Sequence, residues 1–151
     1  MSKIIKGDLI HLFKQGEFDV IVHGCNCFCT MGSGIAKQLK KHFPQIEQVD
    51  KSTISGDISK LGNTTVTSVQ LENNIGIIVN GYTQYRYGTQ AIQADYAAIR
   101  RVFKFIKNNY RGKRIGYPKI GAGLAGGDWN IINEIISEEL KGENHTLVVL
   151  E

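Results

Sequence analysis

No apolar run in this 151-residue chain approaches the roughly 18 residues that a membrane-spanning helix needs. The N-terminus carries no signal-peptide architecture, so the cytoplasm is the expected compartment and no membrane partner is expected. Cysteine is scarce and confined to Cys25, Cys27 and Cys29. A structural zinc site normally joins one close Cys pair to a distant second pair, and there is none, so no metal is expected. Alternate residues of a strand or turn point to opposite sides, so bridging these neighbours would be strained. They read as free thiols of a reducing compartment. Repeats, linkers and low-complexity tracts are also missing. Charge is close to balanced, with 18 Lys and Arg against 14 Asp and Glu and a net charge of +4. The basic residues are scattered, and the densest group, Lys104 to Arg114, reads as a solvated face rather than a nucleic-acid footprint. A hydrophobic fraction of 42% fits one globular domain over residues 1–151, expected to be a monomer.

What is present centres on residues 20–36. Val20 to Val22 reads as a buried strand. A polar turn follows with His23 and Asn26, then Gly32-Ser33-Gly34, and then Ile35, Leu39 and Phe43 at helical spacing. Strand, glycine turn and helix together bring backbone N–H groups and a helix N-terminus onto an anion. A second such turn, Ile120-Gly121-Ala122-Gly123-Leu124-Ala125-Gly126-Gly127, follows a strand expected over Arg114 to Lys119 and precedes a helix carrying Trp129, Ile132, Ile136 and Leu140. Two such loops at strand C-termini mark the edge where α/β sheets bind ligands.

Elsewhere, Lys3 to Lys6 reads as a strand, with Asp8 as the N-cap of a short helix through Leu12 and Phe13. Pro44 restarts a polar helix. Thr64 to Val69 and Ile75 to Asn80 read as strands around a turn at Asn73-Asn74. The loop from Gly81 to Gly88, with Tyr82, Thr83 and two further tyrosines, has the residues of a wall over a sugar or base. Ile92, Tyr96, Ile99, Phe103 and Ile106 predict a core-facing helical stripe, and Thr146 to Leu150 a closing strand. His11, His42 and His145 sit in no motif and are expected at the surface. The alternation predicts a three-layer α/β/α domain with a mixed central sheet.

These residues resemble the macro domain, an ADP-ribose-binding family, across essentially the whole chain. Lys6-Gly7-Asp8-Leu9 is similar to its first-strand motif, His23 to Ala36 to its Asn-containing loop, and Tyr117 to Trp129 to its second phosphate loop. Within the family the chain is most similar to the branch of small stand-alone ADP-ribose 1''-phosphate phosphatases. That branch also holds a glycohydrolase acting through a lysine and an aspartate, positions that fall here on Gln84 and Ala125. Neither residue supports that mechanism.

The resemblance implies that Asp8 and Leu9 hold adenine, Asn26 the distal ribose, and Gly32, Ser33, Gly34 and Ile35 one side of the diphosphate. Tyr82, Thr83, Ile120, Gly121, Ala122, Gly123, Leu124 and Ala125 would complete the site. The implied reaction is metal-independent hydrolysis of ADP-ribose 1''-phosphate to ADP-ribose and phosphate, without a cofactor. Its expected catalytic residues are His23, Asp128 and Asn26, with His23 beside the terminal phosphate and Asp128 its partner, or else the N-cap of the last helix. The alternatives are a non-catalytic ADP-ribose reader and a hydrolase that removes ADP-ribose or acyl groups from modified macromolecules.

Overall fold

Val20–Cys25 (β2) is buried at every position but the half-buried Gly24, because it is paired on both sides. It runs parallel to Ile75–Tyr82 (β4), from Val20↔Ile77 to Cys25↔Tyr82, and parallel to Arg114–Tyr117 (β5) at Val20↔Ile115 and Ile21↔Gly116. Beyond β5 lie Asn144–Val149 (β6) and Ser2–Lys6 (β1), both parallel. Thr64–Gln70 (β3) is antiparallel to β4 at the other edge. The sheet is therefore mixed, in the order β1-β6-β5-β2-β4-β3. The structure, a computed structural model, describes residues 2–88, 91–123 and 125–150.

Alternation along β2 sends its side chains to two cores. Ile21 and Cys25 pack with Leu9–Lys14 (α1), Gly34–His42 (α2) and Gln45–Lys51 (α3) through Phe13, Leu39 and Ile46. Val20 and Val22 pack on the opposite face against Tyr96–Asn109 (α4) and Trp129–Glu139 (α5), through Val102, Phe103, Ile132 and Ile136. Helices cover both faces, giving the three-layer α/β/α arrangement that the alternation of elements predicts.

Three local readings are corrected. β4 continues two residues beyond Asn80, so Tyr82 belongs to the sheet and not to a loop. Ile92 is 66% exposed and precedes α4, which begins only after Asp95 accepts the Ala98 N–H at 2.9 Å. His145 is buried at the start of β6, with Nδ1 2.8 Å from the Tyr117 hydroxyl, rather than lying at the surface.

Close packing across β5 sets a test of this arrangement. A methyl group at Gly116 would stand 2.8 Å from the Phe18 ring. Overpacking of this kind costs about 1–3 kcal/mol, so Gly116→Ala is expected to lower the urea midpoint with little change in slope. An unchanged midpoint would mean that Phe18 moves aside freely.

Candidate functional site

The parallel strands end at one edge of the sheet, and the segments following β1, β2, β4 and β5 line a groove there. Its larger cavity, about 630 Å³, is bounded by Asn26 and residues 30–36 on one wall, with Gln84, Tyr87, Gly121, Gly123 and Ala125 opposite. An adjoining cavity of about 610 Å³ is bounded by Asp8, Leu9, Gln38 and His42. Gly34, Ile35, Pro118 and Lys119 line both and form the waist between them.

Asp8 has two roles. One carboxylate oxygen accepts the N–H groups of Ile10 at 2.9 Å and His11 at 3.2 Å, capping α1, while the residue borders the smaller cavity. At the waist, Gly34 has φ +59° and its Cβ position faces open space, so glycine is required there by backbone conformation rather than by crowding. The second glycine turn closes on itself through Gly127 N–H to Gly121 O at 2.6 Å. It is tied to the preceding segment by Gln93 N–H to Ala125 O at 2.8 Å and by Asp128 N–H to the Tyr96 hydroxyl at 3.0 Å.

Asn26 braces its own loop. Its amide nitrogen donates to Thr30 O at 3.0 Å and Thr30 Oγ1 at 2.8 Å, and its oxygen accepts the Phe28 N–H at 2.8 Å. Both amide hydrogens are committed, so Asn26 offers the cavity only its remaining carbonyl lone pair. Cys29, at φ +58°, lets this tight loop turn.

The groove thus gathers Asp8, Leu9, Asn26, Gly32, Ser33, Gly34, Ile35, Ile120, Gly121, Gly123 and Ala125. Ala122 borders neither cavity, and Leu124 lies outside the described residues. Thr30, Tyr87 and Lys119 join the lining from segments that the sequence singles out but without a role assigned to them, and Gln38 and His42 join it without any motif.

His23 does not face the groove, contrary to the expectation that it stands beside a terminal phosphate. β2 runs two residues past it, so its ring lies within the α1–α3 core, wholly buried. Its Nε2 donates to Asn80 Oδ1 at 2.6 Å, and the Asn80 amide nitrogen donates onward to Ile46 O, which fixes the amide orientation. Burial pushes the imidazole pKa down to about 4, against a smaller opposing effect of the Asn80 bond. His23 is therefore neutral at pH 7.

Cys25 Sγ lies 3.6 and 3.9 Å from the two His23 ring nitrogens, and burial holds its thiol well above the ordinary range. The pair is no thiolate–imidazolium couple. Tyr82 and Thr83 are likewise buried and line neither cavity. The Tyr82 hydroxyl donates to Asp50 at 2.7 Å, and Thr83 packs behind Gly24, whose Cβ position would stand 2.6 Å from its hydroxyl. Asp128 is exposed, borders neither cavity, and accepts the Asn130 N–H at 2.9 Å as the N-cap of α5.

A family model described as Macro domain matches residues 22–136. An uncharacterized 17.5 kDa protein from the tk-vs intergenic region of Enterobacteria phage T4 is 40% identical over 139 residues, spanning 89% of this chain and 86% of that protein. The ADP-ribose 1''-phosphate phosphatase of Candida albicans is 25% identical over 146 residues, spanning 91% and 93%. Among solved structures, Thermosipho africanus DarTG in complex with ADP-ribose superposes with a TM-score of 0.74 at 18% identity, covering 99% of this chain and 42% of that one.

Two measurements check these placements. With its folded pKa near 4 against 6.5 unfolded, His23 contributes stability that is complete above pH 6.5. The unfolded state binds the extra proton as pH falls from there towards 4, removing about 3 kcal/mol over that window. Urea unfolding across pH 4–8 should show stability falling with pH through this window, with buried His145, whose pKa burial also lowers, adding to the His23 slope. The His23 ring resonances should stay nearly constant between pH 8 and pH 5. A ring titrating near 6.5 would place His23 in water. Asp128→Ala is expected to cost about 1 kcal/mol through the lost cap while leaving ligand affinity unchanged, which paired melting and calorimetry would report.

Proposed function

This chain belongs to the macro domain family, and from that membership we propose that its groove binds ADP-ribose. The observation carrying the reading is the pair of cavities joined at one waist, which fits a ligand with two polar ends and an anionic middle. Adenine takes the end bordered by Asp8, whose second carboxylate oxygen can accept its amino group, and the Leu9 N–H meets the ring. The diphosphate lies between residues 32–35 and the turn from Gly121 to Ala125. The distal ribose reaches the Asn26 loop. The DarTG structure holding ADP-ribose supports the choice of ligand.

A second reading is hydrolysis of ADP-ribose 1''-phosphate, favoured by the Candida albicans relative that bears the name of that phosphatase. Water would add to phosphorus while the bond to the 1''-oxygen breaks and that oxygen takes a proton. Asn26, Thr30 and Gln84 border the relevant cavity, whereas His23 and Asp128 do not. Neither a carboxylate nor an imidazole borders it among the described residues. Binding without turnover is accordingly the reading that the groove supports best.

Calorimetry with ADP-ribose and AMP, beside phosphate release from ADP-ribose 1''-phosphate with and without chelator, separates the two. ADP-ribose should bind more tightly than AMP. Asp8→Asn keeps an oxygen for the cap of α1 but removes the charge, and should weaken ADP-ribose by about 1.5–3 kcal/mol, the scale of a charged hydrogen bond. Equal affinity would remove Asp8 from the site. Steady phosphate release that survives chelator would establish the second reading; tight binding without release would leave the first.

A further inference from the structure

Lys119 borders both cavities at the waist. Its side chain has no hydrogen-bond or ion-pair partner among the described residues, the residue is exposed, and its carbonyl accepts the Ala122 N–H at 3.4 Å. Its backbone is nevertheless held in place. The Ile120 N–H donates to Pro118 O at 2.7 Å, closing a three-residue turn with Lys119 at its apex. Ile120 anchors that turn, at only 3% exposure.

The first turn of α2, a nine-residue helix, also borders both cavities, through Gly34 and Ile35. Its N-cap Ser33 makes no side-chain bond to the first-turn amides, and that turn carries no acidic residue. Lys119 is the sole charged residue lining the larger cavity among the described residues. In the smaller one, Asp8 already accepts two N–H groups, and His42 Nδ1 is 2.7 Å from Lys14 Nζ. An anion at the waist would therefore have uncapped amides and a single unpaired lysine side chain within the same lining.

We propose that Lys119 is a specificity-determining residue of the groove, the one mobile countercharge for the diphosphate of a bound nucleoside diphosphate sugar. This rests on the ADP-ribose reading above and deepens it. Lys119 selects by phosphate charge, while the Asp8 end selects the base. Because the ammonium is exposed, its contribution is screened by salt, unlike that of the backbone amides enclosed by the two turns.

The test titrates wild type, Lys119→Met and Lys119→Arg with ADP-ribose and with adenosine, each at low and high salt, after melting shows all three folded. Methionine keeps most of the length and apolar character of the side chain, one heavy atom shorter, and removes the charge. It should weaken ADP-ribose by about tenfold at low salt, the scale of one charge-assisted bond, and change adenosine by less than about twofold. The salt dependence of ADP-ribose binding should flatten in Lys119→Met, and Lys119→Arg should restore most of the affinity. Equal losses for ADP-ribose and adenosine, or an unaltered salt dependence, would overturn the assignment while wild type still bound ADP-ribose. Failure of wild type to bind ADP-ribose would instead overturn the reading beneath it.

Discussion

Parallel pairing on both sides of β2 is the constraint from which the rest of the site follows. With β4 and β5 running alongside it, the strand ends at Cys25, Tyr82 and Tyr117 lie at one edge. The chain must leave the sheet there without ladder partners, and buried backbone groups cannot be left unpaired. The loops satisfy one another instead. Cys27 N–H reaches Tyr85 O at 2.9 Å, Gly56 N–H reaches Cys27 O at 2.7 Å, and Thr83 N–H reaches Cys25 O at 3.2 Å. The groove walls are thereby cross-braced, and their geometry is set before any ligand arrives.

Beneath that edge a chain of polar groups replaces apolar packing. His23 donates to Asn80, whose amide donates to Thr65 Oγ1 at 3.0 Å. The Thr65 hydroxyl meets the Tyr82 hydroxyl at 3.0 Å, and Tyr82 donates to Asp50. Burial raises the Asp50 pKa and, more strongly, that of Tyr82. Lys60 completes the ensemble, donating to Cys27 O at 3.1 Å and lying 4.9 Å from the Tyr82 ring centroid. These bonds tie β2, β3 and β4 to α3 and to the loop carrying Asn26. A half-satisfied buried network would be costly. This one runs donor to acceptor from an imidazole to a carboxylate, which accounts for polar side chains in a core that the sequence pattern leaves apolar.

The same network explains what sequence reading recovers and what it misses. Both glycine turns were legible, because glycine between a strand and a helix has a backbone reason. Asp8 was legible because an N-cap needs a short acceptor side chain, a signal that says nothing of the free oxygen beside the smaller cavity. His23 misleads because a histidine near a strand end looks as if it points beyond the edge. Only the true end of β2, two residues later, shows that it lies inside the sheet. Tyr82 and Thr83 mislead for the same reason at the end of β4. Asp128 carries both readings, and its bond to Asn130 shows that it is the cap of α5. Lys119 and Thr30 lie within the two motif segments, but nothing in the pattern assigns either a role. Their exact place follows from the three-residue turn at Pro118 and from the Asn26 brace, local geometries that no periodicity reports.

The chemistry of the groove turns on where its charges are absent. Backbone amides and glycine turns hold a diphosphate equally well before and after a bond at the far ribose is broken, and such uniform binding lowers a dissociation constant without lowering a barrier. Rate enhancement needs a group whose interaction strengthens in the transition state, and a proton acceptor or donor must lie within about 3 Å of the reacting atom or one water away. At the Asn26 end, the Asn26 amide hydrogens are spent on Thr30, and the Gln84 amide donates to Arg86 O at 2.8 Å. What the side chains of Asn26, Thr30 and Gln84 leave over is carbonyl oxygen, hydroxyl and one Gln84 amide hydrogen, suited to orienting a sugar or a water but weakly basic. Hydrolysis at this end would depend on a water oriented by Asn26 and Thr30 and on the leaving-group chemistry of the substrate.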